Sequence, residues 1–115
     1  MTSLSKEAGN RAEQLALDYL LKKGYILKEQ NYRFKRSEID MILIQEGTLV
    51  FVEVKFRKNA SFGYPEEFVS NNQIKSILTA AENYIKETNW EKNIRFDIIA
   101  INFKNTIEHF QDAFY

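Results

Sequence analysis

The chain contains no cysteine. Disulfides and thiolate metal sites are therefore excluded, and a cytoplasmic location is the default expectation. Histidine occurs once, at His109, which rules out Cys–His chemistry and zinc sites built from several imidazoles. One proline and four glycines in 115 residues leave little room for linkers or disorder. There is no run of about 18 apolar residues, so no membrane span is expected. The opening MTSLSKEAGNRAEQ lacks the apolar segment of a signal peptide. G-x-S-x-G, P-loop and G-x-G-x-x-G motifs are absent. Neither charge dominates: 16 Lys and Arg balance 16 Asp and Glu, which is not the total of a strongly basic nucleic-acid binder.

What is present suits a soluble globular chain. Hydrophobic residues make up 44% and charged residues 28%, and the length predicts a single domain over 1–115 with a real core. Nine Phe and six Tyr supply rings for that core. The charges are unevenly spread: residues 1–60 hold 11 Lys and Arg against 8 Asp and Glu, and residues 61–115 hold 5 against 8.

Apolar spacing predicts a helix from about Ser5 to Lys23, with Ala8, Ala12, Leu15, Ala16, Tyr19 and Leu20 on one face, Ser5 as cap and Gly24 as stop. Strands are expected over about 25–32, 38–45 and 48–56, then a loop over 57–65. A second helix over about 71–87 follows, with Ile74, Ile77, Leu78, Ala81, Tyr84 and Ile85 on one face. A strand over 95–103 and a short one over 107–111 close the chain. This order, αβββαββ, predicts a small α/β domain with a mixed sheet and helices packed on its faces.

The most informative stretch is SEIDMILIQEGTLVFVEVKFR, Ser37 to Arg57. If Glu46-Gly47 is a two-residue turn, Gln45 faces Thr48, Ile42 faces Phe51, Asp40 faces Glu53 and Glu38 faces Lys55. One face then carries Glu38, Asp40, Ile42 and Ile44 with Leu49, Phe51, Glu53 and Lys55. The other carries Ile39, Met41 and Leu43 with Val50, Val52 and Val54. Apolar residues on both faces make the hairpin central to the sheet. Like charges opposed across strands destabilise a sheet, so the acidic pair makes sense around a cation. Mg²⁺ takes one or two carboxylates plus water and substrate, and Asp40 and Glu53 supply that. Lys55, two residues on, would orient a water or stabilise transition-state charge. The alternative is a buried ion-pair cluster with Lys55 on Glu38.

Arg33, Lys35, Arg36, Arg57 and Lys58 lie close in sequence to this acidic end and suit a basic rim for phosphates; a solvated surface is the plainer reading. Gln73 and Lys75 open the second helix and would touch phosphate or water, although spacing alone makes them ordinary first-turn residues. Glu13, flanking the apolar stripe of the first helix, reads from spacing alone as a residue that reaches water. Trp90, Tyr64 and Phe62 read as core or loop packing rather than base-stacking platforms.

The ordered series A-G-N-R-A-E-Q-L-A, G-Y-I-L-K-E-Q-N-Y-R, S-E-I-D-M-I, F-V-E-V-K-F-R, F-G and R-F-D-I-I-A-I resembles the bacterial UPF0102 family, also called the YraN family, over nearly the whole chain. The resemblance implies a restriction-endonuclease-like, three-layer PD-(D/E)XK core similar to archaeal Holliday junction resolvases. Asp40 then matches the motif's Asp, Glu53 and Lys55 its E-x-K, and Glu13 the helix-1 Glu that joins Asp40 and Glu53 at the metal. Three positions depart from the family's usual residues: Ala12 and Ser37 stand where Gly is usual, and Gln73 where many members carry Lys.

The resulting expectation is a nuclease-like domain that hydrolyses phosphodiester bonds in DNA with Mg²⁺ or Mn²⁺, on branched junctions by analogy, with Glu13, Asp40, Glu53 and Lys55 catalytic. Arg33, Lys35, Arg36, Arg57, Lys58, Gln73 and Lys75 would contact the nucleic acid. Resolvases of this kind pair to meet the two symmetric strands of a junction, so a homodimer is expected by analogy. The rival is a non-catalytic nucleic-acid-binding or protein-interaction module on a nuclease scaffold.

Overall fold

The structure, a computed structural model, describes residues 4–58 and 63–114, with side chains from Glu7 onward. Helix α1 spans Leu4–Lys22. It is already running at Leu4, so Ser5 is not its cap. Ala12, Ala16, Leu17 and Leu20 form its buried stripe, at the spacing one helix face requires. It stops at Gly24, whose φ of +91° costs a residue without a Cβ little. Tyr25 N donates to Leu20 O and Gly24 N to Leu21 O, the paired bonds of a Schellman stop.

Strands β1 (Ile26–Phe34), β2 (Ser37–Gln45) and β3 (Thr48–Arg57) follow as an antiparallel meander. Two-residue turns join them. Lys35 and Arg36 connect Phe34 to Ser37, and Glu46-Gly47, at φ +47° and +81°, connects Gln45 to Thr48. Two positive φ values in a row match the twist of a hairpin. Helix α2 (Asn71–Thr88) then crosses over to β4 (Ile94–Asn102), which lies parallel to β3, and β5 (Ile107–Phe110) returns antiparallel at the edge. The sheet order is β1-β2-β3-β4-β5, so the hairpin β2–β3 is internal, as its two apolar faces require.

The helices cover opposite faces. Beneath α1 lie Met41, Leu43, Val50, Val52, Ile99 and Ile101. Beneath α2 lie Ile42, Leu49, Phe51 and Phe96, packed against Ile77, Ala80, Ala81 and Tyr84. Phe51 stacks on Phe96 and Phe96 on Phe114, aromatic pairs worth about 1 kcal/mol each beyond their buried area. Helix, mixed sheet and helix make three layers in the order αβββαββ, the layout of a restriction-endonuclease-like core. No described helix is long and apolar enough to cross a membrane.

One assignment from the alternating pattern is corrected. Ile39 does not share a side with Met41 and Leu43; it is fully buried in the α2 cluster with Ile42, beside Tyr32 and Phe34. The strict two-residue alternation of a strand is thus broken at Asp40. Asn31 lies between the partners of Met41 and Ile39 on β1 and takes φ +51°, a conformation Asn tolerates better than most residues. The break in alternation therefore sits opposite the positive φ of Asn31, at the residue that carries the acidic side chain.

On the α1 side, Asp97 is fully buried. It accepts from Arg95 Nε and Nη2 at 2.8 and 2.9 Å, pairs with His109 Nε2 at 2.7 Å and accepts from Asp112 N at 3.0 Å. Arg95 continues to Tyr25 and Gln45, and His109 to Tyr19. A buried carboxylate is tolerated when it is fully paired in this way, and this one ties edge strand β5 and the turn after it to β4.

Candidate active site

The β2–β3 ladder runs from Gln45↔Thr48 to Met41↔Val52 and then gives way. Val54 N, next in line, donates to Asp40 Oδ2 at 2.7 Å. A side-chain carboxylate has replaced a main-chain carbonyl as its acceptor. The hairpin is therefore pried open by Asp40, and Glu53 lies at the opening. The sequence register correctly brings Asp40 and Glu53 together, but through their side chains and not as a ladder pair.

The expected pairing of Glu38 with Lys55 is not formed. Glu38 sits opposite Arg33 across β1–β2, and Arg33 Nη2 reaches Glu38 Oε2 at 2.8 Å. Lys55 lies instead 3.5 Å from Glu53 Oε2, with both side chains largely covered. The buried ion-pair alternative is thereby reduced to one long contact, with no salt bridge to Asp40 among the described residues, although the charge of Lys55 acts on it.

Asp40, Glu53 and Glu38 line one hollow of about 220 Å³ together with Arg36, Gln73, Ser76 and Ile77; Lys55 is not among its lining residues. Its electrostatics are unfavourable for anions. Burial, then the charge of Asp40, pushes the Glu53 carboxyl up to about 8, against the opposing pull of Lys55. Asp40 is also raised, by burial, although the Val54 N–H and a hydrogen bond with Glu53 hold it back. Glu13 projects from α1 and is raised to about 7 by burial and then by the charges of Asp40 and Glu38. Glu13 does not line the hollow, but it feels the charges of Asp40 and Glu38, and carboxyls that resist ionisation around Asp40 and Glu53 mark a place short of positive charge.

The donor set fits a hard divalent cation. It offers carboxylate oxygens, which Mg²⁺ and Mn²⁺ prefer. Among the described residues no three His, Asp or Glu side chains are gathered closely enough to hold an ion alone. The pair Asp40–Glu53 matches instead the open pattern of one or two carboxylates completed by water and phosphate.

The remaining expected residues divide into two groups. Arg36 and Gln73 line the hollow. Gln73 also closes the capping box of α2: its Oε1 accepts from Ser70 N, and Ser70 Oγ accepts from Gln73 N. Lys35 is exposed in the β1–β2 turn, with Nζ over the Phe34 ring. Arg57, at the end of β3, lies over Phe68. Lys58 and Lys75 are exposed and line no part of the hollow. Trp90 donates to Asn93 O and packs onto the α2 cluster, Tyr64 is exposed, and Phe62 lies outside the described residues. Sequence reasoning placed Glu38 on the face of Asp40 and Glu53, where it lines the hollow, but gave it no role there, and it missed Ser76. It also missed the Arg95–Asp97–His109 network, whose one signal was a lone Asp inside the apolar run FDIIAI.

Fold and site together define a restriction-endonuclease-like α/β protein with an acidic pair and a lysine at the open end of its central hairpin. The family model described as "Uncharacterised protein family UPF0102" matches residues 12–101, and the chain belongs to that family. Similar proteins include a UPF0102 protein of Clostridioides difficile, 44% identical with 96% of this chain and 98% of its own length covered. Another, from Christiangramia forsetii, is 42% identical with 95% and 94% covered. A third, from Flavobacterium psychrophilum, is likewise 42% identical over 95% and 94%.

Proposed function

We propose that this protein is a divalent-metal-dependent endonuclease that hydrolyses phosphodiester bonds in DNA. The observation that carries the reading is the hollow itself: Asp40 and Glu53 share it, both hold their protons more tightly than ordinary carboxyls, and Lys55 stands 3.5 Å from Glu53. Asp40 and Glu53 would hold Mg²⁺ or Mn²⁺, with Glu13 assisting from α1. A divalent ion bound there supplies a Lewis acid for the phosphate and a hydroxide near neutral pH. Val54 N–H fixes one oxygen of Asp40, so that carboxylate is oriented before any ligand arrives. Lys55, held against Glu53, orients the attacking water and meets the negative charge that develops on the phosphate oxygens. Arg36 at the mouth, with Arg33, Lys35, Arg57, Lys58, Gln73 and Lys75 around it, would hold the backbone. Such contacts position a strand without reading its sequence.

Branched DNA is the substrate the resemblance to resolvases adds, and a homodimer would bring two such sites to one junction. The test is cleavage of labelled four-way-junction, duplex and single-stranded DNA with Mg²⁺ or Mn²⁺ by the protein and its Glu53→Gln and Lys55→Ala variants. Metal-dependent cleavage lost in both variants is the expected result. No cleavage of any substrate, with DNA binding indifferent to metal and to both substitutions, would leave a binding module on a nuclease scaffold.

A further inference from the structure

Beyond the acidic hollow, β3 carries one more cation, Arg57, whose setting singles it out among the cations proposed to hold the backbone. Glu53, Lys55 and Arg57 alternate onto one face of the strand, in register with Ile98, Ala100 and Asn102 of β4. Two residues of a parallel strand advance about 6.6 Å, so Lys55 and Arg57 are spaced along the strand at an interval comparable to that of successive phosphates in a nucleic-acid backbone.

Arg57 is not a loose surface cation. Its Cζ lies 4.7 Å from the centre of the Phe68 ring, and Phe68 is itself braced against Phe110 of β5 at 6.1 Å. The Nε atom is buried and, among the described residues, has no hydrogen-bond partner. No carboxylate pairs with this guanidinium in the described structure, whereas Arg33 has Glu38 and Arg95 has Asp97. A buried donor left unpaired is unfavourable, so the pose is costly in the free protein. The Phe68 ring holds the guanidinium in place, and the flat donor fork of a guanidinium matches phosphate oxygens in a way an ammonium cannot.

We propose that Arg57 is a second phosphate seat, for the phosphate neighbouring the reacting one, and that Phe68 is the positioning residue that holds it. This inference rests on the nuclease reading for the position of the reacting phosphate. It adds that the substrate is a strand laid along β3, held by at least two consecutive phosphates, and not a single nucleotide.

The experiment is binding of a labelled single-stranded DNA oligonucleotide in EDTA, by fluorescence anisotropy across a salt series. It compares the protein with Arg57→Gln, Arg57→Lys, Phe68→Leu and Phe68→Tyr. Arg57→Gln is expected to weaken binding severalfold and to lower the salt slope by about 0.7, the loss of one phosphate contact on a single strand. Arg57→Lys and Phe68→Leu should weaken binding with the slope nearly kept, because the charge stays and its placement is lost. Phe68→Tyr should restore the affinity, which a merely structural role would not require. Thermal unfolding of each variant separates misfolding from lost contact, and Arg57→Lys and Phe68→Tyr are the mild changes that keep the test open. Binding with unchanged affinity and slope in Arg57→Gln would overturn this inference and leave the nuclease reading standing. A protein that binds no strand in EDTA would likewise overturn this inference, while the nuclease reading stands or falls on the cleavage assay with metal.

Discussion

Glu53 is the residue on which most of the site's energetics turn. Its folded pKa, about 8, stands above its ordinary value of 4.5, so the folded protein holds this proton more tightly than the unfolded chain. The stability linked to it is fully present below pH 4.5 and is lost as pH rises through about 8. In EDTA the unfolding midpoint should therefore fall across that window. Glu53→Gln, which keeps the neutral shape, should flatten the fall and raise the midpoint at pH 8.5 by about 2–5 °C. Thermal unfolding followed by circular dichroism at pH 5, 7 and 8.5 checks this, and a variant no more stable than the parent at pH 8.5 would contradict it. At this scale Asp40, Glu53 and Lys55 were legible in the sequence, because strand alternation around a Glu-Gly turn fixes which side chains converge. Glu38 was misread: its choice of Arg33 over Lys55 depends on the β1–β2 register, and no turn signal marked Lys35-Arg36 as a two-residue connection.

At the level of elements, the hairpin and α2 position the site, and each has a point where it can be loosened. Ser70 caps α2 and shares a box with Gln73. Ser70→Ala should cost about 1 kcal/mol in urea unfolding because it removes the Oγ that accepts from Gln73 N, without touching the acidic pair. A cost indistinguishable from zero would show that the box contributes nothing to α2. Gly47 sits at φ +81°, and a Cβ added there meets nothing within 4 Å, so the main penalty of Gly47→Val is conformational. It should destabilise by about 1–2 kcal/mol, read as a lower urea midpoint at constant slope; an unchanged midpoint would contradict the assigned turn. Helix and strand order were readable because the apolar spacing switches cleanly between 3.6 and 2 residues along the chain. The break in alternation at Asp40 was not, since alternation alone assigns Ile39 to the wrong side. It coincides with the positive φ of Asn31 on β1 and with Asp40 taking the Val54 N–H, neither of which the pattern within β2 shows.

Across the whole molecule two buried acidic centres pull stability in opposite directions with pH. Asp97 is lowered below its ordinary value by His109, Arg95 and the Asp112 N–H, which together outweigh its burial. Its contribution is present above pH 3.8 and is lost as pH falls through its folded value. With Glu53 eroding stability on the alkaline side, the metal-free protein should be most stable in mildly acidic solution, with a steep acid limb. Asp97→Ala should remove the acid limb and cost about 3–5 kcal/mol, because it strands the half-buried Arg95. Urea unfolding at pH 3.5 and 6 measures both, and a cost equal at the two pH values would contradict the assignment.

On the proposed reading, a divalent cation held by Asp40 and Glu53 displaces the proton they share. Calorimetric titration of Mn²⁺ into the protein near pH 7, in buffers of different ionisation enthalpy and beside Asp40→Asn and Glu53→Gln, decides it. The expected result is one ion bound per chain, release of about one proton on binding, and loss of binding in both variants. No binding by the parent protein, or the same binding in parent and variants, would contradict it.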